Sequence, residues 1–261
     1  MTIKYFSMFS GIGGFEVGMQ NSKYGDELEC VGFSEVNNYA ISIYNRHFPR
    51  HKCFGDATRI IAEELEDFKL LIGGFPCQSF SNTGSRKGFD DCRGTLFFEL
   101  ARILAVKQPK YFLFENVKGL LSNNNGRTFQ RILSIFNVLG YDVSWQIYNS
   151  CYCGVPQHRE RIYLKGYFRR ECGCEIFDVE ETIAESEERT DELNQEVGVC
   201  DDFIIRRLTP VECERVQGFE DNYTKYGEDG ELISDFQRYK LLGNAVTTNV
   251  VTHIFNNWNL K

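Results

Sequence analysis

Strand-like and helix-like stretches alternate from residue 3 to about residue 168, and few architectures accommodate that alternation. Apolar runs at residues 3–9, 29–34, 69–73 and 110–114 read as buried strands. Residues 37–48, 95–106 and 128–139 read as helices, with apolar side chains at helical spacing, as at Leu96, Leu100, Ile103 and Leu104. Strands alternating with helices of this length build a parallel sheet covered on both faces. Residues 142–149 and 161–168 read as two more strands, an antiparallel pair around a loop at 150–160. The expected fold is α/β, a doubly wound, mostly parallel sheet. Beyond it, Thr209-Pro210-Val211-Glu212 is a capping box with proline at the first helical position. Val246, Val250, Val251, Ile254, Phe255 and Trp258 share one helical face, and that helix is expected to return beside the first glycine-rich turn.

At 261 residues and 42% hydrophobic, the chain can bury one substantial domain with a small lobe attached. It carries no apolar run of membrane-spanning length and no signal-peptide pattern at residues 1–20. Ten scattered cysteines read as reduced thiols of a cytoplasmic protein. The formal charge of −8 argues at first against a nucleic-acid partner. However, residues 175–202 hold twelve acids and one base, a local −11, which leaves +3 for the rest of the chain. A cationic groove is compatible with that remainder.

The first strand runs into Phe9-Ser10-Gly11-Ile12-Gly13-Gly14, a turn that lets backbone approach a ligand closely. Glu35 ends the second strand, where an acid suits ribose hydroxyls. Asp56 follows an expected third strand and can accept from an adenine amino group. A nicotinamide cofactor fits these residues nearly as well, and so does a plain turn beside a solvated acid.

The opposite half of the same sheet edge carries the reactive groups. Pro76 and Cys77 sit just past a buried strand, where ligands bind in open α/β sheets. Glu115 ends the next strand and faces the same cleft, making a nucleophile and carboxyl pair. Arg159 and Arg161 alternate on a strand edge and add positive charge. Cys151-x-Cys153 and Cys172-x-Cys174 could form a four-thiolate zinc site, but their spacing is tighter than usual and no metal is expected.

In order, Phe9-Ser10-Gly11-Ile12-Gly13-Gly14-Phe15, Glu35, Asp56, Gly73-Gly74-Phe75-Pro76-Cys77-Gln78, Arg93-Gly94-Thr95-Leu96-Phe97, Glu115-Asn116-Val117, Gln157-His158-Arg159-Glu160-Arg161, Arg207-Leu208-Thr209-Pro210, Gln217-Gly218-Phe219 and Gly243-Asn244-Ala245-Val246 resemble the bacterial and phage DNA (cytosine-5)-methyltransferases. The resemblance covers nearly the whole chain, and it explains later motifs that a nicotinamide reading leaves without a role. It implies S-adenosyl-L-methionine as cofactor, double-stranded DNA as partner, and a link to restriction–modification systems. By resemblance, Phe9 meets the adenine, Gly11 and Gly13 lie near the cofactor, Glu35 binds the ribose and Asp56 the adenine. Ala57, Pro76, Leu96, Asn244 and Ala245 join the same pocket. Val36 stands where the family often has an aromatic, which implies a weaker grip on the adenine face. Cys77 matches the nucleophile, Glu115 the contact to ring N3, and Arg159 and Arg161 its charged neighbours.

The expected division is a catalytic part, residues 1–169 with 239–261, and a reduced recognition part, residues 170–238. Only residues 162–206 separate two motifs between which the family usually carries a sizeable recognition lobe, and they include the acidic stretch. Like charge repels DNA. Three expectations follow: a protein partner that supplies recognition, methylation with little sequence preference, or a relative that retains cofactor binding alone. A tRNA-modifying branch of the family, which also has a small recognition region, is a further alternative.

Overall fold

The computed structural model describes residues 2–75, 96–170 and 207–260. Among the described residues, six strands form one sheet: β1 (Ile3–Met8), β2 (Leu28–Ser34), β3 (Leu70–Gly74), β4 (Tyr111–Val117), β5 (Tyr141–Asn149) and β6 (Glu160–Phe168). Their order is β2-β1-β3-β4-β6-β5. β2, β1, β3 and β4 run parallel, whereas β6 is antiparallel to both β4 and β5. The helices are α1 (Gly14–Gln20), α2 (Asn38–His47), α3 (Leu96–Lys107), α4 (Arg127–Val138), α5 (Pro210–Val216), α6 (Asp235–Asn244) and α7 (Thr248–Asn257). This is the doubly wound sheet expected from the alternation.

Both faces of the sheet are covered, and the central strands show it residue by residue. Leu71, Phe112 and Phe114 pack with α3 and α4. Their neighbours Leu70, Ile72, Tyr111 and Leu113 point the other way, to α1 and α7. That alternation is the period of an extended chain with apolar cover on each side. One expected element is smaller than anticipated. The third strand before Asp56 is a single parallel bridge, Phe33 to Cys53, because Gly55, at φ +65°, turns the chain straight into a 3-10 helix at Ala57–Arg59.

Gly73 fixes how closely β3 can lie against β1. A Cβ at this position would stand 2.6 Å from the Met8 carbonyl oxygen, a backbone atom that cannot swing away. Gly73→Ala is therefore expected to cost about 1–3 kcal/mol of stability, the usual penalty for overpacking. Urea unfolding of the two proteins checks it, and equal midpoints would refute the argument.

Residues 207–238 pack against α1 and α2. Phe219, Tyr223 and Ile233 join Ile12, Ala40, Ile43, Leu241 and Leu242 in one cluster. α5 begins with the expected capping box, the Thr209 hydroxyl taking the Glu212 N–H and the Glu212 carboxylate taking that of Thr209. Behind it, the fully buried Glu214 carboxylate accepts from Arg238 at 3.0 Å and from the backbone of Asn222 and Thr224. A buried pair satisfied this completely holds its segment in one arrangement.

Candidate active site

The strand directions gather the site. The carboxyl ends of β1, β3 and β4 and the amino end of β6 lie along one edge, with Gly74 opposite Glu115 and Val117 opposite Arg161. Ligand sites of open α/β sheets form at this edge. Because β6 runs antiparallel, it delivers residues from its start, rather than its end, to the same cleft.

Glu115 is the centre of the reactive half. Its side chain is only 13% exposed, and Arg161 Nε lies 3.0 Å from its Oε1. Burial pushes its carboxyl above the ordinary value, while Arg161 and then Arg159 pull it back. The net rise extends the protonated, hydrogen-bond-donating form to higher pH than in an ordinary carboxyl. Gly74 leaves room for it, since a Cβ there would meet Glu115 Oε2 at 3.2 Å. Buried Asn116 donates from Nδ2 to the Phe75 carbonyl at 2.9 Å and takes the Val117 N–H on Oδ1. It thus pins the last described residue before Pro76 and Cys77, both of which lie outside the described residues. The two arginines, expected to act together, have different partners. Arg161 meets Glu115, whereas Arg159 donates to the carbonyls of Gly243 and Ala245.

The other half of the edge is built around the glycine-rich turn. Phe9 (φ +55°) and Gly13 (φ +88°) are both left-handed. At Gly13 a Cβ would strike the Phe48 ring at 2.6 Å, so only glycine fits. Glu35 is more deeply involved in the turn than its expected ribose role requires. Its Oε2 takes the Gly11 N–H, and its Oε1 takes those of Val36 and Asn37, each at 2.9 Å. Asp56 Oδ1 accepts from the Thr58 N–H and hydroxyl, and these bonds hold the carboxyl below its ordinary value. Ala57 is buried behind it. Val36 is 67% exposed, Leu96 opens α3, and Asn244 is exposed at the end of α6 beside buried Ala245. Space in front of Gly11 is open, since a Cβ there would meet nothing within 4 Å. Two carboxylates with acceptor capacity to spare, an exposed apolar side chain and an open glycine turn fit an adenosine bearing an amino-acid tail.

A family model for C-5 cytosine-specific DNA methylases matches residues 3–199 and 168–259, nearly the whole chain. The chain belongs to the C-5 cytosine-specific DNA methylase family. The type II methyltransferase M.NlaX of Neisseria lactamica is 30% identical over 303 residues, covering 96% of this chain and 94% of that protein. An orphan methyltransferase of Bacillus phage rho11s is 47% identical over 166 residues, 63% of this chain. The match spans 33% of that phage protein. The Dnmt2 methyltransferase of S. pombe superposes with a TM-score of 0.71 at 19% identity, covering 97% of each chain, and shares the fold.

S-adenosyl-L-methionine is the methyl donor of the C-5 cytosine methylase family, and the fold is that of its Rossmann-like methyltransferases. Within this family frame, two positioning residues had only faint sequence signals. Asn116 was visible as an amide where a core residue belongs. Gln217 stood in a motif but without a role; its Nε2 donates to the Leu242 carbonyl and its Oε1 takes the Thr247 hydroxyl. Among the described residues, Cys30, Cys53, Cys151, Cys153 and Cys213 are free thiols, and no three metal-ligating side chains converge. Cys172 and Cys174 lie outside the described residues. No helix among the described residues is long and apolar enough to cross a membrane.

Proposed function

We propose that the chain transfers a methyl group from S-adenosyl-L-methionine to carbon 5 of cytosine in double-stranded DNA, through a covalent bond between Cys77 and carbon 6 of a flipped base. The observation that carries this reading is Glu115, a buried carboxyl with a raised pKa, paired to Arg161 beside the strand end that leads to Cys77. Carbon 5 of cytosine is a poor nucleophile by itself. Addition of the Cys77 thiolate at carbon 6 moves the ring's double-bond electrons toward carbon 5, and a proton held by Glu115 at ring N3 favours that addition. Arg161 keeps the carboxyl oriented, and the pair lies where water is largely excluded, so its field on the ring is strong. Bound S-adenosyl-L-methionine supplies the electrophilic methyl group. Loss of the carbon 5 proton to solvent and cleavage of the carbon 6–sulfur bond restore the ring and free Cys77. Flipping the base costs a few kcal/mol, drawn from contacts to DNA. Residues 1–169 with 239–261 form the catalytic part, and residues 170–238 the reduced recognition part.

The test is transfer of labelled methyl groups to mixed-sequence duplex DNA, with transfer RNA in parallel and Cys77→Ala as control. Cys77-dependent labelling of DNA is the expected result. Labelling of transfer RNA alone overturns the DNA reading in favour of the RNA branch. Cofactor binding without labelling of either overturns independent activity and points to a partner that supplies recognition.

A further inference from the structure

The Arg159 guanidinium lies close enough to Glu115 and Arg161 to bear on their charges, yet its hydrogen bonds go elsewhere. Its Nη1 and Nη2 both donate to the Gly243 carbonyl at 3.2 Å, and Nη2 also donates to the Ala245 carbonyl at 2.8 Å. These carbonyls flank Asn244, the exposed last residue of α6. The chain there turns out of α6 and, within three residues, into α7. Gln217 anchors the two shoulders of this turn, at Leu242 and Thr247, so Arg159 is the side chain that grips its middle. The bonds span 84 and 86 positions of sequence, joining the amino end of β6 to the α6–α7 turn. Arg159 Nε is buried without a hydrogen-bond partner among the described residues, an energetic cost set against the three Nη hydrogen bonds to the two carbonyls.

We infer that Arg159 is a positioning residue for the cofactor, holding the Gly243–Ala245 turn so that Asn244 closes one side of the S-adenosyl-L-methionine pocket. The inference rests on the reading above that residues 244 and 245 line that pocket, and it assigns Arg159 a duty other than that of a charged neighbour to Glu115. The planar fork is what the job requires. One guanidinium can reach two carbonyls in fixed directions, whereas a lysine ammonium is a single point charge on a flexible stem. The consequence is a specific split. Loss of the fork weakens cofactor binding, while the step at the base, served by Glu115 and Arg161, continues once cofactor is saturating.

The experiment measures S-adenosylhomocysteine binding by calorimetry, without DNA, for the unaltered chain, Arg159→Lys and Arg159→Ala, with thermal unfolding of each. Arg159→Lys keeps the charge near Glu115 and loses the fork, so it separates the two duties even where Arg159→Ala folds poorly. Both variants are expected to bind about ten- to a hundredfold more weakly, the loss of charged hydrogen bonds to two carbonyls. In turnover, Arg159→Lys should raise KM for S-adenosyl-L-methionine by a similar factor and leave kcat within about threefold. Unchanged affinity in Arg159→Lys, or a fall in kcat at saturating cofactor with KM unchanged, overturns the inference and returns Arg159 to the base. Failure of the unaltered chain to bind S-adenosylhomocysteine overturns the cofactor reading itself, a result distinct from variants that bind as tightly as the unaltered chain.

Discussion

Cys77→Ser is expected to transfer no methyl groups at a measurable rate while binding S-adenosylhomocysteine as the unaltered chain does. The serine hydroxyl is nearly isosteric with the thiol, so size alone gives no reason for a change. Chemistry does. A thiol releases its proton near neutral pH and adds readily to a polarised double bond, whereas an alcohol holds its proton and forms a bond from which the ring is slow to leave. The same chemistry provides a positive readout. With fluorine in place of hydrogen at carbon 5 of the target cytosine, the final elimination cannot proceed, and the unaltered chain should remain bonded to DNA through Cys77. Denaturing electrophoresis detects that complex. A Cys77→Ser protein that still forms it, or still turns over, removes Cys77 from the mechanism.

Glu115→Gln should lower kcat by about 10²- to 10⁴-fold, the usual worth of a positioned acid, with cofactor binding retained. The amide keeps the shape beside Gly74 and can still donate a hydrogen bond, but it cannot give up a proton to N3. The pH dependence follows from the direction of the shift. Burial raises the Glu115 carboxyl and Arg161 lowers it. The protonated form, the one that serves the ring, therefore persists above the ordinary carboxylate range and is lost as pH rises through the raised value. Removing Arg161 takes away the larger of the two opposing charges, so Arg161→Ala should move the alkaline limb of kcat to higher pH, whatever it does to the maximum. A limb that moves to lower pH, or a Glu115→Gln protein with normal turnover, would falsify the acid role.

What the amino-acid order discloses here is whatever repeats or stands in the wrong chemical company. Leu70, Ile72, Tyr111 and Leu113 announce buried strands because each run is apolar on both faces. Val250, Val251, Ile254 and Phe255 announce α7 by their spacing, and α7 does lie against α1. Glu115 and Asn116 stand out as polar groups ending an apolar run. The Phe33–Cys53 bridge could not be anticipated as a bridge, because the residues before Gly55 look no different from a short strand. Arg159 posed the harder case. A charge that alternates with Arg161 on one strand edge reads as its twin, and nothing local reveals that its hydrogen-bond acceptors are carbonyls more than eighty positions away. Backbone acceptors carry no side-chain signature, so contacts of this kind become legible only in three dimensions.

The packing of α7 on α1 has a consequence for how the chain is made. The Thr252 hydroxyl donates to the Gly18 carbonyl across 234 positions, and a Cβ at Gly18 would stand 2.5 Å from that of Val251. Ribosomes add about 5–20 residues per second, so α1 waits roughly 10–50 s for its cover. Throughout that interval Phe15 and Met19, with the apolar face of β1, have nothing from the carboxyl-terminal segment to bury them. The glycine-rich turn at the head of α1 thus belongs to a surface that stays open during synthesis, and the yield of folded protein should depend on how well the cell shields that surface until α7 arrives.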